Sequence, residues 1–241
     1  MTHFPFQRLQ ADLADLIAKA PAGFRLPSEP VLAKQLGVSR ATLREAMRSF
    51  ESQGLIRRRQ GAGTFVVGKI PVLDSGLEVL ESLQAIASKI NLDLTHGEIT
   101  IEEFQADDDH AATLKVAPGT KLIRVSRVMR VDSRPVAYLV DTLPEDLLHH
   151  KELTDKFNGS VLDYLLQRGD PLTTSRADIS AINAPADVAK MLEVQRDDVL
   201  LQFVAKLYTG SGKVVDYSMS YFLPGYFKFH VVRRVGGLNS R

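Results

Sequence analysis

The chain has 241 residues, of which 44% are hydrophobic, so it is long enough for two modest domains that each bury a core. It contains no cysteine, which excludes a disulfide framework, a thiolate metal site and a cysteine nucleophile. The net charge of +1 hides an asymmetry, because residues 1–69 hold 11 Lys and Arg against 5 Asp and Glu, and the remainder holds 19 against 24. The basic N-terminal part is therefore the part that suits a polyanion.

Two short helices joined by a tight turn are predicted within residues 28–52. Ser28 stands at the N-cap position of the first helix, and Gly37 ends it, because a positive φ is least costly for glycine. Ser39 caps the second helix, whose apolar residues recur at helical spacing. Cations near the N-terminus of a second helix, after a glycine turn, are typical of a helix-turn-helix DNA reader.

A β-hairpin is predicted directly after these helices. The arginines Arg57 to Arg59 follow the start of one strand, and the β-branched and aromatic residues 64–67 form the returning strand. Between them lies a glycine tip, Gly61 to Gly63, at which the backbone can approach a phosphate or the floor of a groove without a side-chain clash. The ordered caps, turns and glycines favour a winged helix-turn-helix over an ordinary helical domain with a basic face.

These residues resemble the DNA-binding domain of the GntR family of bacterial transcriptional regulators. The resemblance covers roughly residues 4 to 67 and rests on LPSE, LGVSRATLREAM and GLIRRRQGAGTFV. It departs at Pro30, where the family usually has an arginine, so we expect the operator preference to differ from the family norm. The resemblance implies DNA contacts from the second helix and the wing, namely Ser39, Arg40, Thr42, Arg44, Gln60, Gly61 and Gly63.

The pattern breaks near residues 68–71, which predicts a DNA-binding domain of residues 1–69 and a second domain of residues 70–241. An apolar stripe predicts a helix over Leu77 to Ile90. Beyond it, strand-like runs and short helices, with turn signals between consecutive strands, indicate an antiparallel α+β domain. The strands are expected at Glu98–Phe104, Lys121–Val131, Val136–Thr142, Leu172–Ile182, Val199–Tyr208, Val214–Phe222 and Phe227–Val232, and the helices at Asp107–Leu114, Ser160–Arg168 and Ala186–Leu192.

This order resembles the UTRA ligand-binding domain of the HutC branch of the same family, which has the fold of chorismate lyase. The resemblance covers about residues 72 to 236 and includes RPVAYLVDTLP, SVLDYLLQRGDPL and KVVDYSMSYF. Three positions that are polar in sugar-phosphate-binding relatives are apolar here, namely Met129, Leu139 and Phe227. The candidate polar groups that remain for an effector pocket are Arg127, Asp141, Arg176, Asp178 and Tyr217.

The apolar replacements also predict the kind of effector. Burial of a doubly charged phosphate without replacement donors would be costly. We therefore expect a ligand with substantial apolar surface and one carboxylate or hydroxyl group, met by Arg127 or Arg176.

The sequence does not support other classes of site. The acidic run Asp107–Asp109 suits the positive N-terminus of a helix better than a metal ion, because consecutive helical residues do not converge. The chain has no GxGxxG, P-loop or nucleophile-elbow motif, so we expect no cofactor, no bound metal and no enzymatic activity. It also has no long apolar run and no signal-peptide pattern, so we expect no membrane association and a cytoplasmic location.

The leading hypothesis is a one-component transcription regulator, and more specifically a repressor. It would form a homodimer, read a palindromic double-stranded operator and respond to a small-molecule effector bound by the C-terminal domain. An alternative is a lyase-like enzyme domain with an accessory DNA-binding head, but no convergent acid–base set supports it, and a shared fold does not imply shared chemistry. Constitutive DNA binding without an effector is a third possibility.

Overall fold

The computed structural model describes residues 4–21, 23–52, 54–59, 61–67, 72–148, 157 and 159–233. The chain divides into two compact units, one formed by Met1–Val72 with Leu223–Tyr226 and the other by Leu73–Phe222 with Phe227–Arg241. The predicted boundary between residues 69 and 70 lies outside the described residues.

The described part of the N-terminal unit contains three helices and a two-stranded hairpin. Their bounds are Phe4–Lys19 (α1), Glu29–Gln35 (α2), Arg40–Ser52 (α3), Ile56–Arg59 (β1) and Gly63–Val66 (β2). One apolar core joins all five elements, with Leu13, Leu32 and Leu43 fully buried. Truncation of such a leucine to alanine typically costs about 2–5 kcal/mol, so this core fixes how α3 and the hairpin are presented.

The predicted caps of α2 and α3 behave differently. Ser39 accepts a hydrogen bond from the Thr42 backbone N–H through its hydroxyl at 3.1 Å, which confirms it as the N-cap of α3. Gly37 has a φ of +66°, as expected for the residue that turns the chain away from α2. Ser28 occupies the N-cap position of α2 without a side-chain capping bond, and Pro30 lies in the first turn, where a missing N–H is harmless.

A six-stranded antiparallel sheet forms the centre of the C-terminal unit. Its strands are Leu94–Gln105 (β4), Lys121–Val131 (β5), Arg134–Pro144 (β6), Leu172–Asn183 (β7), Val199–Thr209 (β8) and Val214–Phe222 (β9), and they lie in the order β4-β5-β6-β9-β8-β7. The accompanying helices are Leu83–Lys89 (α4), Asp108–Leu114 (α5), Val161–Arg168 (α6) and Ala186–Leu192 (α7). This arrangement confirms the antiparallel α+β prediction.

Of two predictions about the ends of this domain, the helix is wrong in extent and the last strand is confirmed in position. The helix predicted over Leu77 to Ile90 is confined to α4, because Ser82 caps it by accepting a hydrogen bond from the Ala85 N–H at 3.1 Å. The last strand, predicted at Phe227–Val232, is present, ends at His230 and lies outside the main sheet. Instead Phe227–His230 (β10) pairs in parallel with Leu73–Gly76 (β3), a strand that the sequence analysis missed.

Strand ends also depart from prediction where the sheet is irregular. The first long strand begins at Leu94 rather than Glu98, because a bulge between His96 and Ile99 lets the chain remain paired with β5. A two-residue turn joins β5 to β6, with Asp132 and Ser133 at φ values of +49° and +65°. This tight turn fixes the register of β5 against β6, and the register positions the site described next.

Candidate DNA-binding surface and ligand cavity

The N-terminus of α3 presents the first group of predicted DNA contacts. Ser39 and Arg40 are exposed, whereas Thr42 is half-buried, and its hydroxyl lies 2.7 Å from that of Ser39. Backbone N–H groups and the helix dipole make this end attractive to phosphate oxygens. The capping bond of Ser39 therefore fixes the geometry of the first turn that DNA would meet.

Arg44 is held by an acidic neighbour. Its Nε donates to Glu29 Oε2 at 2.6 Å, although half of the arginine side chain remains exposed. Glu29 also lies 3.9 Å from Arg58 in the first wing strand, and Arg58 lies 3.8 Å from Glu51. These carboxylates connect α2, α3 and the wing, so they hold two arginines in one orientation in the absence of DNA.

The two described wing glycines have different surroundings. Gly61 has a φ of +73°, and a Cβ placed there would meet no atom within 4 Å. Gly63 has a φ of +114°, and its Cβ would lie 2.8 Å from Arg25 Nε, so a side chain there is strained and crowded. Gln60, the remaining predicted wing contact, lies outside the described residues.

A cavity of about 750 Å³ opens on one face of the C-terminal sheet. Its floor is the alternating face of strands β5 to β9, and its other walls come from the segment Ser75–Leu83 and from α6. A smaller hollow of about 290 Å³ is lined by surface residues such as Lys121 and Lys213 and contains none of the predicted residues. The larger cavity is the candidate effector site.

Arg127 and Asp141 are the two predicted effector residues that line this cavity. Their strands place Arg127 opposite Leu139 and Asp141 opposite Val125, so the two side chains are diagonal neighbours on one face. Arg127 donates from its Nη1 to Asp141 Oδ2, and both residues are buried. Arg127 Nε has no hydrogen-bond partner among the described residues. The arginine is therefore paired within the protein before any ligand arrives.

Asp216 is a third buried ionisable group of the cavity, and the sequence analysis missed it. Burial, and then the neighbouring Asp141 carboxylate, raise the pKa of Asp216 well above its usual range, while Arg127 opposes this shift. Its Oδ1 has no partner among the described residues. An alternating pattern in the sequence could have identified Asp216, because Asp216, Ser218 and Ser220 form a polar row at every second position of β9.

The other three predicted effector residues do not line the cavity, and this corrects the prediction. Arg176 and Asp178 alternate with the cavity-facing Ser175 and Ala177 on β7, so they project to the opposite face. They form an ion pair at 3.6 Å, and each side chain is 77% exposed. Tyr217 alternates with Asp216 in the same way and packs against the apolar cluster beneath α5.

Of the three polar-to-apolar replacements, Leu139 alone lines the cavity. Met129 is fully buried but does not line it, and Phe229 lines it in place of Phe227. Phe229 belongs to an aromatic cluster with Phe203 and Phe222, whose ring centroids lie 4.7 and 5.1 Å from its own. The apolar part of the expected effector therefore has a matching wall, whereas Arg127, the one arginine among the described lining residues, already donates from its Nη1 to Asp141.

The described residues show neither a metal cluster nor a membrane-spanning helix. No three His, Cys, Asp or Glu side chains among them are arranged to hold a metal ion. Within the same residues, no helix has the length and apolar character needed to cross a bilayer.

Comparison with known proteins accounts for both units. The family model for bacterial regulatory proteins of the gntR family matches residues 6–66, and the UTRA domain model matches residues 92–228. The mannosyl-D-glycerate transport/metabolism system repressor MngR of Escherichia coli is 27% identical over 96% of this chain and 97% of its own length. A histidine utilization repressor of Pseudomonas aeruginosa is 28% identical over 85% of this chain and 80% of its own.

Solved structures support the same fold. The crystal structure of PhnF from Mycobacterium smegmatis has a TM-score of 0.65 and 21% identity, and it covers 95% of this chain and 100% of its own. The two sequence relatives are both named as repressors, and the lyase alternative finds no support in either name. The chain belongs to the gntR family of bacterial regulatory proteins, in the HutC-like branch with a C-terminal UTRA domain, and it is a ligand-responsive, DNA-binding transcription regulator.

Proposed function

We propose that this regulator is a homodimeric repressor that reads a palindromic operator and releases it when a small molecule fills the cavity of its C-terminal unit. The observation that carries the proposal is the presence, in one chain, of a winged DNA reader and a separate 750 Å³ cavity with buried polar groups. A metabolite pocket has no purpose in a constitutive DNA-binding protein, so the cavity favours a switch. Because its target is DNA, we place the protein in the cytoplasm.

The DNA contacts are proposed to come from the exposed start of α3 and from the wing. Arg40 and Arg44 lie four residues apart on one side of α3, so both can reach into one major groove. Ser39 and Thr42 would contact phosphates beside them, and Gly61 and Gly63 would allow the wing to approach the backbone closely. Gln60, between the two wing strands, is retained on the resemblance alone.

A dimer explains how so small a reader reaches useful specificity. One helix and one wing contact only a few base pairs, whereas two copies related by a two-fold axis read two half-sites about 34–36 Å apart or a related spacing. The operator is then an inverted repeat. Any change in the separation of the two readers weakens binding at both half-sites together.

The route from ligand to DNA is proposed to run through the chain segment that follows the wing. The cavity wall includes Ser75–Leu83, which begins nine residues after the end of β2 at Val66. A ligand that contacts this segment binds unequally to conformations that place the segment differently. We propose that operator DNA also binds these conformations unequally, so that ligand and DNA change each other's affinity by the same factor.

A reporter assay tests the proposal. We expect the full chain to repress a reporter that carries its selected operator, and one compound of a nutrient panel to relieve repression. Ala205 lies on the cavity floor, so Ala205→Phe should keep repression and lose the response. Val204 alternates with it and faces away from the cavity, so Val204→Ile is the matched control. Relief that persists in Ala205→Phe, or repression that no compound relieves, would contradict the proposed switch.

A further inference from the structure

The cavity wall carries an excess of negative charge. Among the described residues that line it, the ionisable ones are four acids, Glu78, Glu81, Asp141 and Asp216, and one base, Arg127. Glu78 accepts a hydrogen bond from the Val232 backbone N–H, which lowers the pKa of its carboxyl, and Glu81 accepts from Lys89 Nζ at 2.6 Å. These rim carboxylates are therefore compensated from outside the cavity, whereas the floor acids share a single guanidinium.

The floor itself holds two carboxyl groups and one arginine. Asp141 already accepts a hydrogen bond from Arg127, and Asp216 lies against Asp141 with one oxygen left without a partner among the described residues. Asp216 is only 6% exposed, so bulk water cannot screen it as it would a surface acid. A cation beside this pair would favour the ionised form of Asp216 and would balance its carboxylate, whereas an anion would meet two carboxyl groups and an arginine whose Nη1 already donates to Asp141.

Two helix N-termini border the cavity, and a carboxylate lies beside them. Ser82 and Ser160, the N-caps of α4 and α6, both line the cavity. Asp163 lies in the first turn of α6 and accepts a hydrogen bond from the Ser82 hydroxyl at 2.8 Å. The negative charge of Asp163 therefore lies beside both helix starts and opposes the binding of a phosphate or carboxylate there.

The apolar part of the wall lies at a distance from the acids. Phe203 is paired in register with Ser220 of β9, four residues along the strand from Asp216. At about 3.3 Å per residue, this places the aromatic cluster roughly 13 Å from the acidic pair along the sheet. Ser218 lies between them on the same face, and Ser220 lies beside Phe203. A ligand that uses both ends must be elongated, with a charged head and an apolar tail.

We propose that the effector is an elongated organic cation, whose amine or equivalent head group lies against Asp216 and Asp141 and whose apolar body packs on Phe203, Phe222 and Phe229. This inference rests on the proposed function for the identity of the site, but it concerns the chemistry of the ligand. It replaces the expectation of a carboxylate met by Arg127 or Arg176, because Asp141 holds the first arginine and the second projects away from the cavity.

The test uses three probes of one skeleton with different head groups: phenylhexylamine, phenylhexanol and phenylhexanoate, each with the functional group at the chain end. Isothermal titration of the DNA-free full chain measures their affinities. We expect the amine to bind about tenfold or more tightly than either of the others. Asp216→Asn should remove most of that advantage, while Asp178→Asn, which removes a carboxylate from the exposed face of β7, should leave it unchanged.

Comparison of the three probes on the unaltered chain keeps the test valid even if Asp216→Asn does not fold. Tighter binding of phenylhexanoate, equal binding of all three probes, or no binding of the amine would overturn the inference. An amine preference that survives in folded Asp216→Asn would also overturn it. Operator binding is measured separately by fluorescence anisotropy, so an amine that binds without releasing DNA supports the ligand class and contradicts the proposed switch.

Discussion

Asp216 offers a quantitative test of how the cavity floor is built. Burial and the neighbouring Asp141 raise the pKa of Asp216 in the folded protein. Over a range of pH, Asp216 is therefore protonated in the folded protein and ionised in the unfolded chain. Folding therefore takes up a proton above the unfolded pKa of about 3.9. The stabilisation that this protonated group provides is complete below that pH and is lost as the pH rises towards the folded pKa.

The magnitude of the effect follows from proton linkage. Between the two pKa values, one bound proton distinguishes the folded from the unfolded state, so the free energy of unfolding falls by about 1.4 kcal/mol per pH unit relative to a protein without this group. Asn at position 216 resembles the protonated acid and cannot ionise. We expect Asp216→Asn to match the unaltered protein at low pH and to become progressively more stable than it as the pH rises.

The assay is urea unfolding of the DNA-free full chain, followed by circular dichroism at half-unit steps between about pH 4 and pH 8. The difference in unfolding free energy between the variant and the unaltered protein reports on Asp216, because other groups, such as Asp74 and Asp107, titrate in both proteins. Asp178→Asn controls for the loss of one carboxylate from an exposed position of the same sheet. A difference between Asp216→Asn and the unaltered protein that stays constant with pH would refute the reasoning.

The remaining predictions concern DNA binding and the corrected site residues. Arg40→Ala and Arg44→Ala should each weaken operator binding by about 1–3 kcal/mol and leave folding intact. Lys19→Ala, which removes an exposed, salt-bridged cation from the end of α1, serves as the control in anisotropy titrations. Unchanged affinity in both arginine variants would remove α3 from the interface. Gly63→Val should lower the melting temperature as well as operator affinity, because its φ of +114° and the nearby Arg25 strain any side chain. Gly61→Ala should lower the free energy of unfolding by only about 1–2 kcal/mol. A larger loss of operator-binding free energy would indicate that the wing tip lies close to the DNA, and unchanged operator affinity would exclude this close approach. The double variant Arg176→Ala, Asp178→Ala should keep the response to the effector. Loss of that response would show that these two residues belong to the effector site.

The sequence predicted the DNA-binding unit well because its signals are local. Gly37 and Ser39 act within one turn of the chain, and the wing hairpin closes over a few residues, so caps and turn residues carry the information. The antiparallel strands were predicted for the same reason, since turns such as Asp132-Ser133 join consecutive strands. The pairing of β3 with β10 could not be predicted, because its partners are about 150 residues apart and no short-range pattern connects them.

The cavity residues show where prediction from sequence stops. Arg176 and Asp178 are polar residues of a correctly predicted strand, but the face they occupy depends on a one-residue alternation that motif matching did not fix. The same shift replaced Asp216 by its neighbour Tyr217. A requirement that candidate polar residues share one face at every second position would have selected Asp216 with Ser218 and Ser220 instead.

The central claim is that the chain reads an operator of two symmetric half-sites through α3 and the wing. The measurement that tests it most directly is selection of bound duplexes from a random DNA pool by the full chain, followed by sequencing. We predict enrichment of an inverted repeat whose half-sites are separated by about one helical turn or a related spacing, and loss of that enrichment with Arg40→Ala and Arg44→Ala combined. An enriched site without two-fold symmetry, or the same site selected by the double variant, would contradict it.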